Sequence, residues 1–155
     1  MTLLMTDIVD STGTANRLGD GVWKQVLSDH NRLVRTQLVR FGGSEVNTTG
    51  DGFLATFRSA VAGLRCAGAI VDALAETGVE ARIGIHTGEV EPMGRDIGGV
   101  AVHVAARLMA LAGASEVFAS AVTVGLADGS GLDFEDKGRR KVKGIDRSIE
   151  AYRLV

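Results

Sequence analysis

The sequence predicts an α+β fold: a ferredoxin-like β-α-β-β-α-β sandwich followed by extra C-terminal strands and a helix. Three observations predict it. Short apolar runs with strand-like patterning alternate with longer stretches whose apolar residues repeat on a helical period. The segment Ser44–Phe57, SEVNTTGDGFLATF, places Asp51-Gly52 between two strand-like runs, a strong hairpin signal. The elements together read β-α-α-β-β-α-β-β-α-β-α-β-β, an order that opens as a β-α-β-β-α-β unit.

The first strand is Thr2–Val9. Ser11 and Thr12 are N-cap residues for a helix that starts there. Gly19-Asp20-Gly21 breaks that helix. A longer one follows, with Val22, Trp23, Val26, Leu27, Leu33, Val34, Leu38 and Phe41 on one stripe. Trp23 on that stripe reads as core, and His30, among polar neighbours, has no special role. Gly42-Gly43 ends the helix, and the hairpin comes next. Ser59 caps a third helix to about Thr77, which Gly78 stops. Glu80–His86 alternates as a strand. A second strand lies near Glu89–Met93, and a loop at Gly94–Gly99 leads into a helix over Val100–Ala112. Glu116–Ser120 is a short strand, followed by a short helix to Ala127. The last strands are Leu132–Lys143 and Ser148–Val155.

At 155 residues the chain is expected to form one domain with a sizeable core. Its net charge of -2 implies neither a nucleic-acid nor a membrane partner. No apolar run is long enough to span a bilayer and no signal peptide is visible, so the cytoplasm is the expected compartment. The single cysteine, Cys66, excludes an internal disulfide. It sits in a helix-like Ala- and Leu-rich stretch and reads as a buried structural thiol.

Two acidic residues stand out. Asp7 interrupts the strand TLLMTDIV, where an unpaired carboxylate is costly. Asp51 occupies the hairpin turn, where a lone Asp-Gly is usually a mere turn former. Two carboxylates brought together at strand ends repel unless a divalent cation lies between them, which points to a metal site for phosphate chemistry.

Five motifs in order carry a resemblance: TDIVDST (Thr6–Thr12), TTGDGF (Thr48–Phe53), RIGIHTGEV (Arg82–Val90), DIGGVAVHVAAR (Asp96–Arg107) and, more weakly, VKG (Val142–Gly144). Across nearly its whole length the chain resembles the catalytic domain of class III nucleotide cyclases, the adenylyl and guanylyl cyclases, and most closely their actinobacterial branch. The resemblance implies a palm-like core that converts ATP to cyclic AMP and pyrophosphate. It implies two Mg²⁺ or Mn²⁺ ions held by Asp7, Asp51 and the Ile8 carbonyl. It implies that Arg82 binds the terminal phosphates, Lys143 contacts the phosphates, and Arg107 neutralises charge developing on the α-phosphate. Asp96 would accept from the adenine amino group. The resemblance also implies a head-to-tail homodimer: Asp7, Asp51 and Arg82 come from one subunit, and Asn47, Asp96, His103, Arg107 and Lys143 from the other.

Two positions depart from that pattern. Adenylyl cyclases usually carry lysine where this chain has Asn47, and a ribose-oriented asparagine where it has His103. Asn47 can donate to adenine N1 or accept from guanine N1–H, while Asp96 would repel the guanine O6 carbonyl, so ATP is preferred with weaker discrimination than a Lys–Asp pair gives. The run KGRRKVK (Lys137–Lys143) reads by itself as a solvated strand, and Asp96 by itself is simply a loop residue. His86 reads as structural. GGSEV (Gly42–Val46) only approximates the GGDEF signature of diguanylate cyclases, and it precedes the hairpin instead of forming its turn. The rival from another class is a non-catalytic nucleotide-binding or dimerisation module of the same fold.

Overall fold

A computed structural model describes residues 1–155, the side chain of Thr49 excepted. The chain runs β1 (Thr2–Ile8), α1 (Ser11–Leu18), α2 (Asp20–Arg40), β2 (Ser44–Thr49), β3 (Gly52–Phe57), α3 (Ala60–Leu74) and β4 (Ala81–Thr87). It continues with β5 (Glu91–Met93), β6 (Asp96–Gly98), α4 (Val100–Leu111), β7 (Val117–Ser120), α5 (Ala121–Leu126), β8 (Phe134–Arg140) and β9 (Ile149–Leu154). One sheet has the order β2-β3-β1-β4-β7-β9-β8, and only the β4–β7 pairing is parallel. Its first four strands are the expected ferredoxin-like unit, and β7, β9 and β8 extend it.

Alternation along β1 builds both layers of core. Leu4 faces α2 and α3, packing with Val34, Leu38, Phe53, Phe57, Leu64 and Ile70. Leu3 faces α4 and packs with Ala101 and Ala105. The helix α4 lies directly on the backbone of β4. A Cβ on Gly84 would run into the Ala105 carbonyl oxygen and the Met109 nitrogen, so only glycine fits there. The helix α3 begins as expected, with Ser59 Oγ accepting from Ala62 N–H at 3.1 Å. Cys66 is fully buried, and burial pushes its thiol up to about 12.

Several expectations are corrected. The predicted loop 94–99 contains β6, which pairs with β5 as a separate two-stranded sheet. Its three residues were too few to show alternation. The strand expected at Leu132–Lys143 spans only Phe134–Arg140. Of the α2 stripe only Val34 and Leu38 are buried, and Val22 is exposed. His30, expected to be unremarkable, is 1% exposed and tilts its ring against Phe53. Its Nδ1 pairs with Asn31 Oδ1 at 2.9 Å, Nε2 is buried without a partner among the described residues, and burial lowers its pKa. Among the described residues no helix is long and apolar enough to cross a membrane.

His86 ends a buried polar chain. Its Nδ1 lies 2.7 Å from Ser120 Oγ. From there, hydroxyl contacts of 3.0, 3.1 and 3.0 Å join Thr123, Thr87 and Thr2. The chain stitches β1, β4, β7 and α5 together with its buried hydroxyls satisfied.

Two tests follow from this packing. Gly84→Ala should lower stability by roughly 1–3 kcal/mol through overpacking against α4, read as a lowered thermal midpoint. An unchanged midpoint would mean that α4 does not sit on the β4 backbone. Burial, reinforced by the charge of Arg147, lowers the His86 pKa from 6.5 to about 4. The unfolded chain therefore binds the extra proton first. Stability from this group is complete above pH 6.5 and falls as pH drops toward 4, by on the order of 3 kcal/mol. Denaturant titrations across that range should show the fall, and His86→Asn should flatten it.

Candidate active site

The end of β1 brings the acidic residues together. Thr6 lies opposite Phe53 of β3, and Asp7 lies opposite Arg82 of β4. Arg82 Nε donates to Asp7 Oδ1 at 2.9 Å and Nη2 donates to Oδ2 at 2.7 Å. The carboxylate that looked unpaired in the sequence is thus held by a two-pronged guanidinium. Asp51 sits in the β2–β3 turn. With Met5, Thr6, Asp7, Gly52 and Phe53 it lines a cavity of about 400 Å³.

Asn47 and Asp96 line the same cavity. Asn47 Nδ2 donates to Asp96 Oδ2 at 3.3 Å, and the Ile97 N–H donates to Asp96 Oδ1 at 2.8 Å. A carboxylate only accepts, so the Asn47 amide must turn its NH₂ toward Asp96. Ile97, Val102 and Met109 give the cavity an apolar wall.

The remaining candidates stand elsewhere. His103 and Arg107 are four residues apart on one side of α4, the first exposed and the second half-buried. Lys143 is exposed and lies in the turn beyond β8 instead of within a strand. None of the three lines the cavity of Asp7 and Asp51. Among the described residues, neither Arg107 nor Lys143 takes part in an ion pair. Ile8 is buried at the end of β1.

The turn from β1 into α1 differs from expectation. Ser11 is the first helical residue, not the cap. Asp10 takes the cap position in a left-handed conformation (φ 51°, ψ 47°), with no side-chain capping bond. That strained turn points the start of α1 at the hairpin. Ser11 and Thr12 there border a cavity of about 300 Å³ with Trp23, Leu27, Gly50 and Asp51. Trp23 is therefore half-buried beside the Asp51 turn and outside the core clusters. Periodicity does not separate an aromatic lining a cleft from one filling a core.

The donors present suit a hard divalent cation. Among the described residues no three His, Cys, Asp or Glu side chains form a cluster able to hold a metal alone. Two carboxylates facing one cavity are nevertheless what Mg²⁺ or Mn²⁺ needs when substrate phosphates complete the shell. Thr6 on the cavity wall also keeps a buried hydroxyl without a hydrogen-bond partner among the described residues.

Comparison with known proteins fits this arrangement. The chain is 33% identical over 122 residues to a Rhizobium meliloti (strain 1021) protein named "Putative adenylate cyclase 3", covering 71% of this chain. It spans only 20% of that protein's length. A crystal structure of an adenylate/guanylate cyclase/hydrolase from Silicibacter pomeroyi is 30% identical. The match has a TM-score of 0.76 and covers 100% of this chain and 96% of that one. The adenylyl cyclase CyaB from P. aeruginosa shares the fold, at 22% identity and a TM-score of 0.89, with 99% and 92% covered. Residues 1–155 match the family model described as the adenylate and guanylate cyclase catalytic domain. The sheet order, the paired strand-end aspartates and this full-length match agree, and the chain belongs to the family of adenylate and guanylate cyclase catalytic domains.

Proposed function

We propose that the chain is an adenylyl cyclase that converts ATP to 3′,5′-cyclic AMP and pyrophosphate at sites shared between two copies in a head-to-tail homodimer. The observation that carries this reading is the meeting of Asp7 and Asp51 at one strand-end cavity, with Arg82 bonded to Asp7 beside it. Arg82 is at hand, but His103, Arg107 and Lys143 do not line that cavity, and among the described residues Arg107 and Lys143 make no ion pair. A nucleotide held by one chain's aspartates would receive them from a second chain.

In this reading Asp7, Asp51 and the Ile8 carbonyl hold two Mg²⁺ or Mn²⁺ ions. Bound there, the ions would make the ribose 3′-hydroxyl more acidic and neutralise phosphate charge. Arg82 grips the terminal phosphates and Lys143 adds a second cation to them. Free N–H groups at the start of α1 suit further phosphate oxygens. His103 orients the ribose. The 3′-hydroxyl would release its proton to solvent as its oxygen attacks the α-phosphorus, the bond to the bridging oxygen breaks, and pyrophosphate leaves. Arg107 stabilises the charge that grows on the α-phosphate. Asp96 accepts from the adenine amino group and repels the guanine O6.

The Asn47–Asp96 contact favours a finer point, a relaxed choice between ATP and GTP. With its NH₂ turned toward Asp96, Asn47 also offers the base a carbonyl, which suits guanine N1–H.

Three assays test the proposal. Purified protein given ATP and Mn²⁺ should form cyclic AMP, and absence of product from folded protein would favour the non-catalytic module. Asp51→Ala should reduce turnover by several orders of magnitude and leave the fold intact. Near wild-type turnover would refute the two-metal site. Asn47→Lys should sharpen preference for ATP over GTP by about 1–2 kcal/mol. An unchanged ratio in competition would mean that Asn47 does not face the base.

A further inference from the structure

Both oxygens of Asp7 are engaged by one guanidinium, at 2.9 and 2.7 Å. The pair is sheltered, with about a quarter of the Asp7 side chain and a third of the Arg82 side chain exposed. A fork matched to a carboxylate in this way occupies the lone pairs that face it. The backbone fixes the match, because Asp7 and Arg82 are register partners on neighbouring strands. Arg82 also lies in the field of Asp51, across the cavity from its own partner.

A bare divalent cation approaching Asp7 therefore meets a fixed positive charge bonded to the same two oxygens. Arg82 gives up that carboxylate readily only for another anion able to take both prongs. A phosphate group is such an anion, since its oxygens accept the same bidentate geometry.

We propose that Arg82 makes this site select a metal–triphosphate complex over a free divalent cation. It blocks Asp7 until phosphate draws the guanidinium away. Arg82 is thus a specificity-determining residue as well as a phosphate ligand. The inference rests on the reading of Asp7 and Asp51 as metal ligands. By linkage, triphosphate and metal must then strengthen each other's binding reciprocally.

The test is a Mn²⁺ titration of the nucleotide-free full chain, followed by the electron paramagnetic resonance of unbound Mn²⁺. Arg82→Ala removes the charge. Arg82→Lys keeps the charge but not the fork, and melting curves check the fold of both. Both variants should bind Mn²⁺ at least roughly tenfold more tightly than wild type, the scale of a charge-assisted hydrogen bond. Adding Asp7→Asn to either should remove the gain. The proposal is overturned if Arg82→Lys binds like wild type, which would leave charge alone at work. It is also overturned if the gain survives Asp7→Asn. If wild type binds as tightly as both variants, the block fails while the metal site stands. If no protein binds Mn²⁺ even with a non-cyclisable triphosphate, the metal reading fails and this proposal with it.

Discussion

Hydrogen bonding of β1 on both edges is the constraint from which the rest of the molecule follows. β1 pairs with β3 on one side and with β4 on the other, over nearly its whole length. Its register with β3 brings the Asp51 turn to the end of β1. Its register with β4 sets Arg82 opposite Asp7. Its alternating side chains then key two helical layers onto the sheet, Leu4 into one and Leu3 into the other. A slip of one residue would reverse those faces and carry Asp7 away from Arg82. The energy that fixes the core therefore also fixes the acidic site, and the carboxylate that the strand tolerates poorly is held by a neighbour in that same register.

The second layer is seated by close contact with the backbone of β4. With glycine at position 84, α4 seats on bare backbone, and its exposed side carries His103 and Arg107. Val104 and Leu108 of α4 pack with Phe118, Ile149, Val142 and Ile145, so the turn bearing Lys143 is anchored to the same helix. Under the proposed function, His103, Arg107 and Lys143, three of the groups offered to a second copy, are tied to one helix. The groups that bind metal rest on another part of the same sheet.

Much of this was legible in the sequence. Asp51-Gly52 between apolar runs announced the hairpin, and an acid inside TLLMTDIV announced that something must neutralise it. The partner was not legible. Arg82 lies 75 residues from Asp7, and only the strand register brings them together. The burial of His30 was equally hidden, because its sequence neighbours are polar and the ring it packs against, Phe53, belongs to another element. Asp10 reads as an ordinary polar residue, whereas its left-handed backbone is imposed by the turn from β1 to α1. Gly84 looks like one glycine among 21, and its necessity comes from a helix that begins 16 residues later. In each case a local pattern was correct or neutral, and a long-range contact decided the outcome.

Under the proposed function each site is built from two chains, and mixing two dead variants tests this. Asp51→Ala and Arg107→Ala should each be inactive alone. In a mixed dimer with shared sites, one site carries both lesions and the other carries neither. With random exchange about half the dimers are mixed, so cyclase activity should return to roughly a quarter of wild type. If each site lay within one chain, every site in the mixture would still carry a lesion. Activity would then stay absent at every mixing ratio, and the shared site would have to be dropped.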